Sequence, residues 1–414
     1  MIKNNVVILI FLLLPVAFFG QTATGDIENY IGNIIDNSPG SSGDDYLEPT
    51  TTQLNTWNTI INFVLADNLV DARSNANTVN YKITEFTDTS ISPNQVFYVL
   101  EEKSTQSNYW GTYVFSKTPT RNNLIIQSPH SKFDTNTGNQ AIYCFKNTIA
   151  KAVFINGTHR CNSDSFSSCS GTTSVCGSSD AYRISDLAHT INSIFQKTTE
   201  NLLTAISNSV FVQLHGFGKQ ATDPYVIMSN GTRETPSTDY ARLIKDALLE
   251  EDNTLTFELA HINTTWTRLI GFTNTQGRLI NNSSDHCNTS ATTTSGRFIH
   301  IEQEKSKLRD DENDWIKMSN ALASVFSSTL NTEDFHLNNT ISVSPNPTTG
   351  KVFINGKRVE QIEIYNLLGQ KIGNQYNIGN KNPIFVDLSV FKSGVYFFRI
   401  KTDKRITLKK LIYL

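Results

Sequence analysis

Apolar and polar positions along this chain follow two different rhythms, and the change between them falls near residue 340. Upstream, short apolar runs alternate with helical periods. Val96-Phe97-Tyr98-Val99-Leu100 and Tyr113-Val114-Phe115 are strand-like, residues 54–65 carry an amphipathic helical period, and residues 185–206 repeat it through Leu187, Ala188, Ile191, Ile194, Phe195 and Leu202. A helix started by Pro236 is predicted to run through Tyr240, Leu243 and Leu248. Four further strands each end in polar residues: 124–127 before Ser128-Pro129-His130, 152–155 before Asn156-Gly157-Thr158-His159-Arg160, 210–214 before His215-Gly216, and 298–301 before Glu302. Such alternation predicts an α/β fold, a mixed, mainly parallel sheet with helices on both faces. Downstream of Ile341, five short stretches (352–355, 361–365, 384–388, 394–400 and 405–412) alternate apolar with polar residues between turn signals such as Asn346-Pro347 and Asn355-Gly356. This second part reads as a small all-β, Ig-like sandwich.

The N-terminus changes the picture of where the chain goes. Lys3, an apolar run over residues 6–14, Pro15 and the small Gly20 have the layout of a signal peptide, so residues 1–20 are expected to be cleaved. That run is shorter than the ~20 residues needed to cross a bilayer, and no other segment approaches that length, so no transmembrane segment is expected. The predicted layout is then a large domain over 21–330, for which the candidate chemistry below implies a metallohydrolase, a linker over 331–340 and a terminal domain over 341–414, for which the resemblance below implies a secretion sorting domain. Charge separates the two parts. Residues 341–414 hold twelve Lys/Arg against four Asp/Glu, and residues 21–340 hold 22 against 34. An acidic larger part and a net charge of −3 overall argue against a nucleic-acid partner.

Export places the five cysteines in an oxidising compartment, where disulfides are expected and the odd count leaves at least one thiol unpaired. Cys161, Cys169 and Cys176 lie in a Ser/Gly-rich stretch with little apolar content, so a bridge there would replace a missing core. Their spacing does not suit a structural zinc site. Connectivity stays open at this stage.

Candidate chemistry comes from the four polar strand ends. In open α/β sheets ligands gather beyond the carboxyl ends of the strands, which would bring His130, His159-Arg160, His215 and Glu302 together. Two imidazoles and a carboxylate make a catalytic zinc shell that keeps a position open for a water whose pKa falls to about 7. His130 and His215 are the imidazole candidates, and Asp134, four residues after His130, is the carboxylate. Glu302 would be the general base, sharing a strand face with Phe298 and His300. Arg160 would grip a substrate carboxylate or polarise a carbonyl, with His159 beside it in substrate binding. His189 reads as structural, and His261, His286 and His336 as surface residues. A Gly-x-Ser-x-Gly elbow, His-Glu-x-x-His and the phosphate-loop and dinucleotide fingerprints do not occur.

Two resemblances sharpen these expectations. Ser344-Pro345-Asn346-Pro347 with Gly350, then Ile364-Tyr365-Asn366-Leu367-Leu368-Gly369-Gln370, then Ser393-Gly394-Val395-Tyr396-Phe397 and a basic last strand closely resemble the type A C-terminal sorting domain of the type IX secretion system. That likeness implies recognition by the type IX machinery and carriage across a Gram-negative outer membrane, with release or surface attachment. Ser128-Pro129-His130 with Asp134 and Gly138, Gly157-Thr158-His159-Arg160, Ser185-Asp186-Leu187-Ala188-His189, Leu214-His215-Gly216-Phe217 and Ile301-Glu302-Gln303 resemble the N-formylglutamate amidohydrolase and zinc-carboxypeptidase-like group. This second likeness implies zinc held by His130, Asp134 and His215, with Glu302 as base and a peptide or acyl-amino acid as substrate. The carboxypeptidase pattern places Glu close behind its first His, whereas here Asp134 follows at a longer gap. The competing expectation is a non-catalytic secreted or surface binding protein that keeps the hydrolase fold.

Overall fold

The computed structural model describes residues 21–104, 108–326, 342–355, 359–376, 383–402 and 406–414. They fall into two compact units that divide between Thr329 and Leu330. The signal peptide and linker expectations, and His336, lie outside the described residues. Among the described residues, no helix is long and apolar enough to cross a membrane.

In chain order the first unit begins with β1 (Thr22–Gly25), α1 (Ile27–Asp36), α2 (Thr51–Leu65), α3 (Leu69–Thr78), β2 (Tyr81–Asp88), β3 (Gln95–Glu102), β4 (Thr112–Ser116) and β5 (Arg121–Ser128). It continues through α4 (Thr137–Thr148), β6 (Ala150–Ile155), the short β7 (Thr172–Thr173) and β8 (Asp180–Ala181), α5 (Ile194–Ala205) and β9 (Val210–Phe217). It closes with β10 (Val226–Ser229), α6 (Tyr240–Glu251), β11 (Phe257–Leu259), α7 (Thr275–Ile280), β12 (Phe298–Glu304), α8 (Lys305–Leu308) and α9 (Glu312–Val325). Ten strands form one sheet in the order β1-β2-β3-β4-β6-β5-β9-β12-β10-β11. The sheet is mixed. β6, β5, β9 and β12 run parallel in its centre, and the joins β2/β3, β3/β4, β4/β6 and β12/β10 are antiparallel.

Both faces of the central strands are buried, which explains why they read as unbroken apolar runs. Leu124, Ile126, Val153, Ile155, Val210, Val212, Leu214, Ile299 and Ile301 belong to a core shared with α1, α4, α6 and α9. Ile125, Ala152, Phe154, Phe211 and Phe298, at the alternate positions, belong to a second core with α2, α3, α5 and α7. Helices therefore cover both faces, as the alternation predicts.

Two predicted helices begin later than their periodicity suggests. α5 starts only at Ile194, because Ser193 caps it by accepting the Gln196 N–H at 3.0 Å, and residues 185–193 form a non-helical approach. Likewise Asp239, whose carboxylate accepts the Arg242 N–H, starts α6, and Pro236 lies outside it. His261 corrects a third expectation: it is buried, with Nε2 2.9 Å from Asp239 Oδ2. His286 is half-buried.

Disulfides join Cys161 to Cys176 and Cys169 to Cys287, and Cys144 is a buried free thiol. The second bridge spans 118 residues and ties the polar segment after β6 to the segment after α7. Long-loop closure makes it the larger contributor, so replacing Cys169 and Cys287 together by serine is expected to lower the unfolding free energy by about 2–4 kcal/mol. Chemical denaturation of the oxidised chain measures this, and an unchanged midpoint would mean the pair contributes nothing.

The second unit contains β13 (Ser342–Ser344), β14 (Lys351–Asn355), β15 (Val359–Tyr365), β16 (Lys371–Tyr376), β17 (Ile384–Asp387), β18 (Gly394–Thr402) and β19 (Ile406–Tyr413). They make two antiparallel sheets, β13-β14-β17 and β16-β15-β18-β19. Val352, Ile354, Ile384 and Val386 of the first and Ile362, Ile364, Phe398, Ile400 and Leu411 of the second share one apolar core. β13 and β16 are strands the alternation pattern does not reveal.

Candidate metal centre

The four polar strand ends meet at the carboxyl edge of four adjacent strands. β5 leads to His130, β6 to His159 and Arg160, β9 carries His215 and β12 carries Glu302. The register sets His215 beside Glu302 and Gln213 beside His300, so these four side chains lie on one sheet face.

Local structure aims the donors. After β5 the chain turns helically, with the Asp134 N–H on the His130 carbonyl at 2.8 Å, and this single turn puts the two side chains on one side. Asp134 Oδ2 also accepts the Gly216 N–H at 3.1 Å, which ties the turn to the end of β9. Arg309 pins the same corner through the carbonyls of Thr135, Phe217 and Gln303. A Cβ on Gly216 would lie 2.3 Å from the Arg309 Cζ, so the absence of a side chain there admits the guanidinium.

His130 Nδ1, His215 Nδ1 and Asp134 Oδ2 converge. The two nitrogens are 3.1 Å apart, and the carboxylate oxygen is 3.3 Å from one and 3.5 Å from the other. Zinc held at 2.0–2.2 Å by tetrahedral donors needs donor separations of about 3.4 Å, so the residues fit the ion. The outer ring nitrogens are held as well: His130 Nε2 lies 2.8 Å from Asp186 Oδ1, and His215 Nε2 lies 3.1 Å from Gln213 Oε1. Asp186 Oδ1 can only accept and Arg160 Nη1 can only donate, so a neutral His130 that satisfies both carries its proton on Nε2 and its lone pair on Nδ1.

Charge is unevenly shared within the pocket. Burial pushes the His215 imidazole down to about 4 despite the Asp134 carboxylate beside it. His130 feels the same burial and the Arg160 charge, yet Asp186 and Asp134 outweigh both and raise it above its ordinary value. Burial works against the charged form of Asp134, but contacts with His130 and His215 hold its carboxyl far below the usual range. Asp186 is likewise held far below it, chiefly by Arg160 against the opposing effect of burial.

Glu302 is buried beside this group, and burial first, then the Asp134 charge, push its carboxyl up to about 8. Glu302 Oε2 and His300 Nδ1 have no hydrogen-bond partner among the described residues. His215, His300 and Glu302 form a second group of donor atoms within 4.8 Å of one another, as do His130, Asp134 and His215.

Arg160 differs from its expected setting. Its Nε and Nη2 both engage Asp186 Oδ2, and Nη1 lies 3.3 Å from His130 Nδ1, so the guanidinium is committed to the cluster. His159 is half-buried and accepts the Cys161 N–H on Nδ1 at 3.1 Å. It lines a polar cavity of about 510 Å³ together with Phe133, Ser163, Asp164 and Arg183. The Phe133 ring stands between, 5.0 Å from the His159 ring and 5.4 Å from the Arg160 guanidinium. Sequence reasoning assigned no role to Asp186, Gln213 or His300. A glutamine inside the apolar run of β9, two residues before His215, was the available signal for one of them.

No curated protein matches the chain. Residues 342–413 match the family described as the secretion system C-terminal sorting domain, so the second unit is a type IX export address. That address delivers the protein to the outer cell surface or the extracellular space of a Gram-negative bacterium of the Bacteroidetes type.

Proposed function

We propose that residues 21–330 form a secreted zinc-dependent amidohydrolase or carboxypeptidase-like hydrolase of the zinc-carboxypeptidase fold. Residues 1–20 would be its cleaved signal peptide and 331–340 the linker to the sorting domain. One observation carries this reading: three buried atoms able to ligate a metal, on His130, Asp134 and His215, face one another within 3.5 Å. Three buried ligand atoms held this close call for a shared positive charge between them, supplied by a proton or by a metal cation.

In this reading His130, His215 and Asp134 hold the ion, and zinc there would supply Lewis acidity toward a carbonyl oxygen and an acidified water. Glu302 Oε2 removes a proton from the attacking water and returns it to the leaving amine nitrogen. An affinity near the working pH suits it to both transfers. Arg160, fixed by Asp186, directs positive charge toward the oxygen on which charge develops. Burial of the whole group excludes bulk water, which strengthens each of these fields. The His159 cavity receives the part of a peptide or acyl-amino acid beyond the scissile bond.

A second reading is favoured by a specific contact: Arg160 Nη1 beside His130 Nδ1 can satisfy that lone pair without an ion, as a metal-free binding protein would require. Metal analysis separates the two. The purified full chain is expected to hold about one zinc and to lose hydrolysis of peptides and acyl-amino acids on chelation. A folded chain that stays metal-free through a zinc titration would leave the binding protein as the surviving account.

A further inference from the structure

The proton position on His215 is dictated by buried amides whose polarity is anchored on main-chain groups. Gln213 Oε1 faces His215 Nε2 and also accepts from Asn274 Nδ2 at 2.7 Å. Its Nε2 donates to Gln127 Oε1 at 2.9 Å and to Gln276 Oε1 at 3.0 Å. A lone amide could be turned end for end, but three neighbours prevent it here.

Asn274 caps α7 by accepting the Gly277 N–H on Oδ1 at 2.9 Å, so its amino group must face Gln213. Gln276 donates from Nε2 to the Leu187 carbonyl at 2.9 Å, a group that can only accept, so its oxygen faces Gln213. The Thr199 hydroxyl gives its single proton to the Phe195 carbonyl at 2.9 Å and accepts from Gln127 Nε2 at 2.9 Å. That turns Gln127 Oε1 toward Gln213 as well. Each anchor, independently of the others, presents the Gln213 oxygen to His215.

We propose that Gln213 is a positioning residue that locks neutral His215 with its proton on Nε2, which leaves the Nδ1 lone pair bare toward His130 and Asp134. The functional consequence rests on the metal-centre reading above; the proton assignment does not. It follows that His130 and His215 are prepared by different means, one by a carboxylate and the other by an amide relay running under the sheet to α5 and α7. The neutral acceptor keeps a further negative charge out of the buried region around Gln127, Gln276 and Thr199, all fully buried.

The test is the side-chain nitrogen spectrum of His215 in the chelator-treated full chain near neutral pH. Native protein is expected to show a protonated Nε2 and a bare Nδ1. Gln213→Met, which keeps the volume and removes the acceptor, is expected to lose that preference and to weaken zinc binding about 10–100-fold. Gln213→Glu, which keeps an acceptor oxygen on Nε2, is expected to restore the preference for a protonated Nε2. A proton on Nδ1 in native protein would overturn the proposal, as would a Gln213→Met chain with unaltered spectrum and zinc affinity. If Gln213→Met fails to fold, the native spectrum alone decides. A native chain with the expected spectrum but no zinc affinity would refute the metal centre and uphold the role of Gln213.

Discussion

An Asp134→Asn chain is expected to fold as the native chain does and to bind zinc more than about 100-fold more weakly, since even partners behind a ligand are worth 10–100-fold. Asp134 supplies the only negative charge among the three converging donors, and without it two imidazoles leave the ion one strong ligand short of the three a catalytic zinc site uses. The substitution preserves volume, and its Oδ1 can still accept the Gly216 N–H that closes the turn onto β9. Circular dichroism should therefore be unchanged while metal analysis falls far below one ion per chain. Undiminished zinc in this variant would remove Asp134 from the centre. Glu302, grouped with His215 and His300, would then be the carboxylate to test.

The part of this site that could be read in the sequence is the part written in short-range pattern. Continuous apolar runs identify strands buried on both faces, and a run that breaks into polar residues marks a carboxyl end. By that logic His130, Arg160, His215 and Glu302 are found without any knowledge of strand order. The order β6-β5-β9-β12, which turns four separate ends into one site, is set by non-local pairing and leaves no local trace. Asp186 was missed because Leu187, Ala188 and Ile191 mimic a helical period, whereas the chain there is held open by the Ser193 cap and delivers the carboxylate to His130. The pairing of Cys169 with Cys287 was beyond reach for the same non-local reason. In the second unit the turn residues and strict alternation made five of the seven strands among the described residues legible, and the two missed, β13 and β16, lack a clear apolar alternation.

Replacing Glu302 by glutamine is expected to leave about one zinc bound and to lower kcat by about 10²–10⁴-fold, the usual worth of a positioned base. Glutamine fills the same space and cannot take up the proton. Stability should move the other way or not at all. The native carboxyl is buried, with Oε2 unpartnered among the described residues, and burial followed by the Asp134 charge pushes it up to about 8. The protein therefore carries an ionisable group where a neutral amide would be tolerated at least as well. A thermal midpoint equal to or above the native value, together with lost turnover and retained metal, cannot arise from partial unfolding. Unimpaired hydrolysis would take Glu302 out of the mechanism, and loss of zinc along with turnover would make it a ligand. The expected opposition between activity and stability has a physical source: a base that must accept a proton inside a water-excluded site is costly to bury in its charged form, and that cost is what raises its proton affinity.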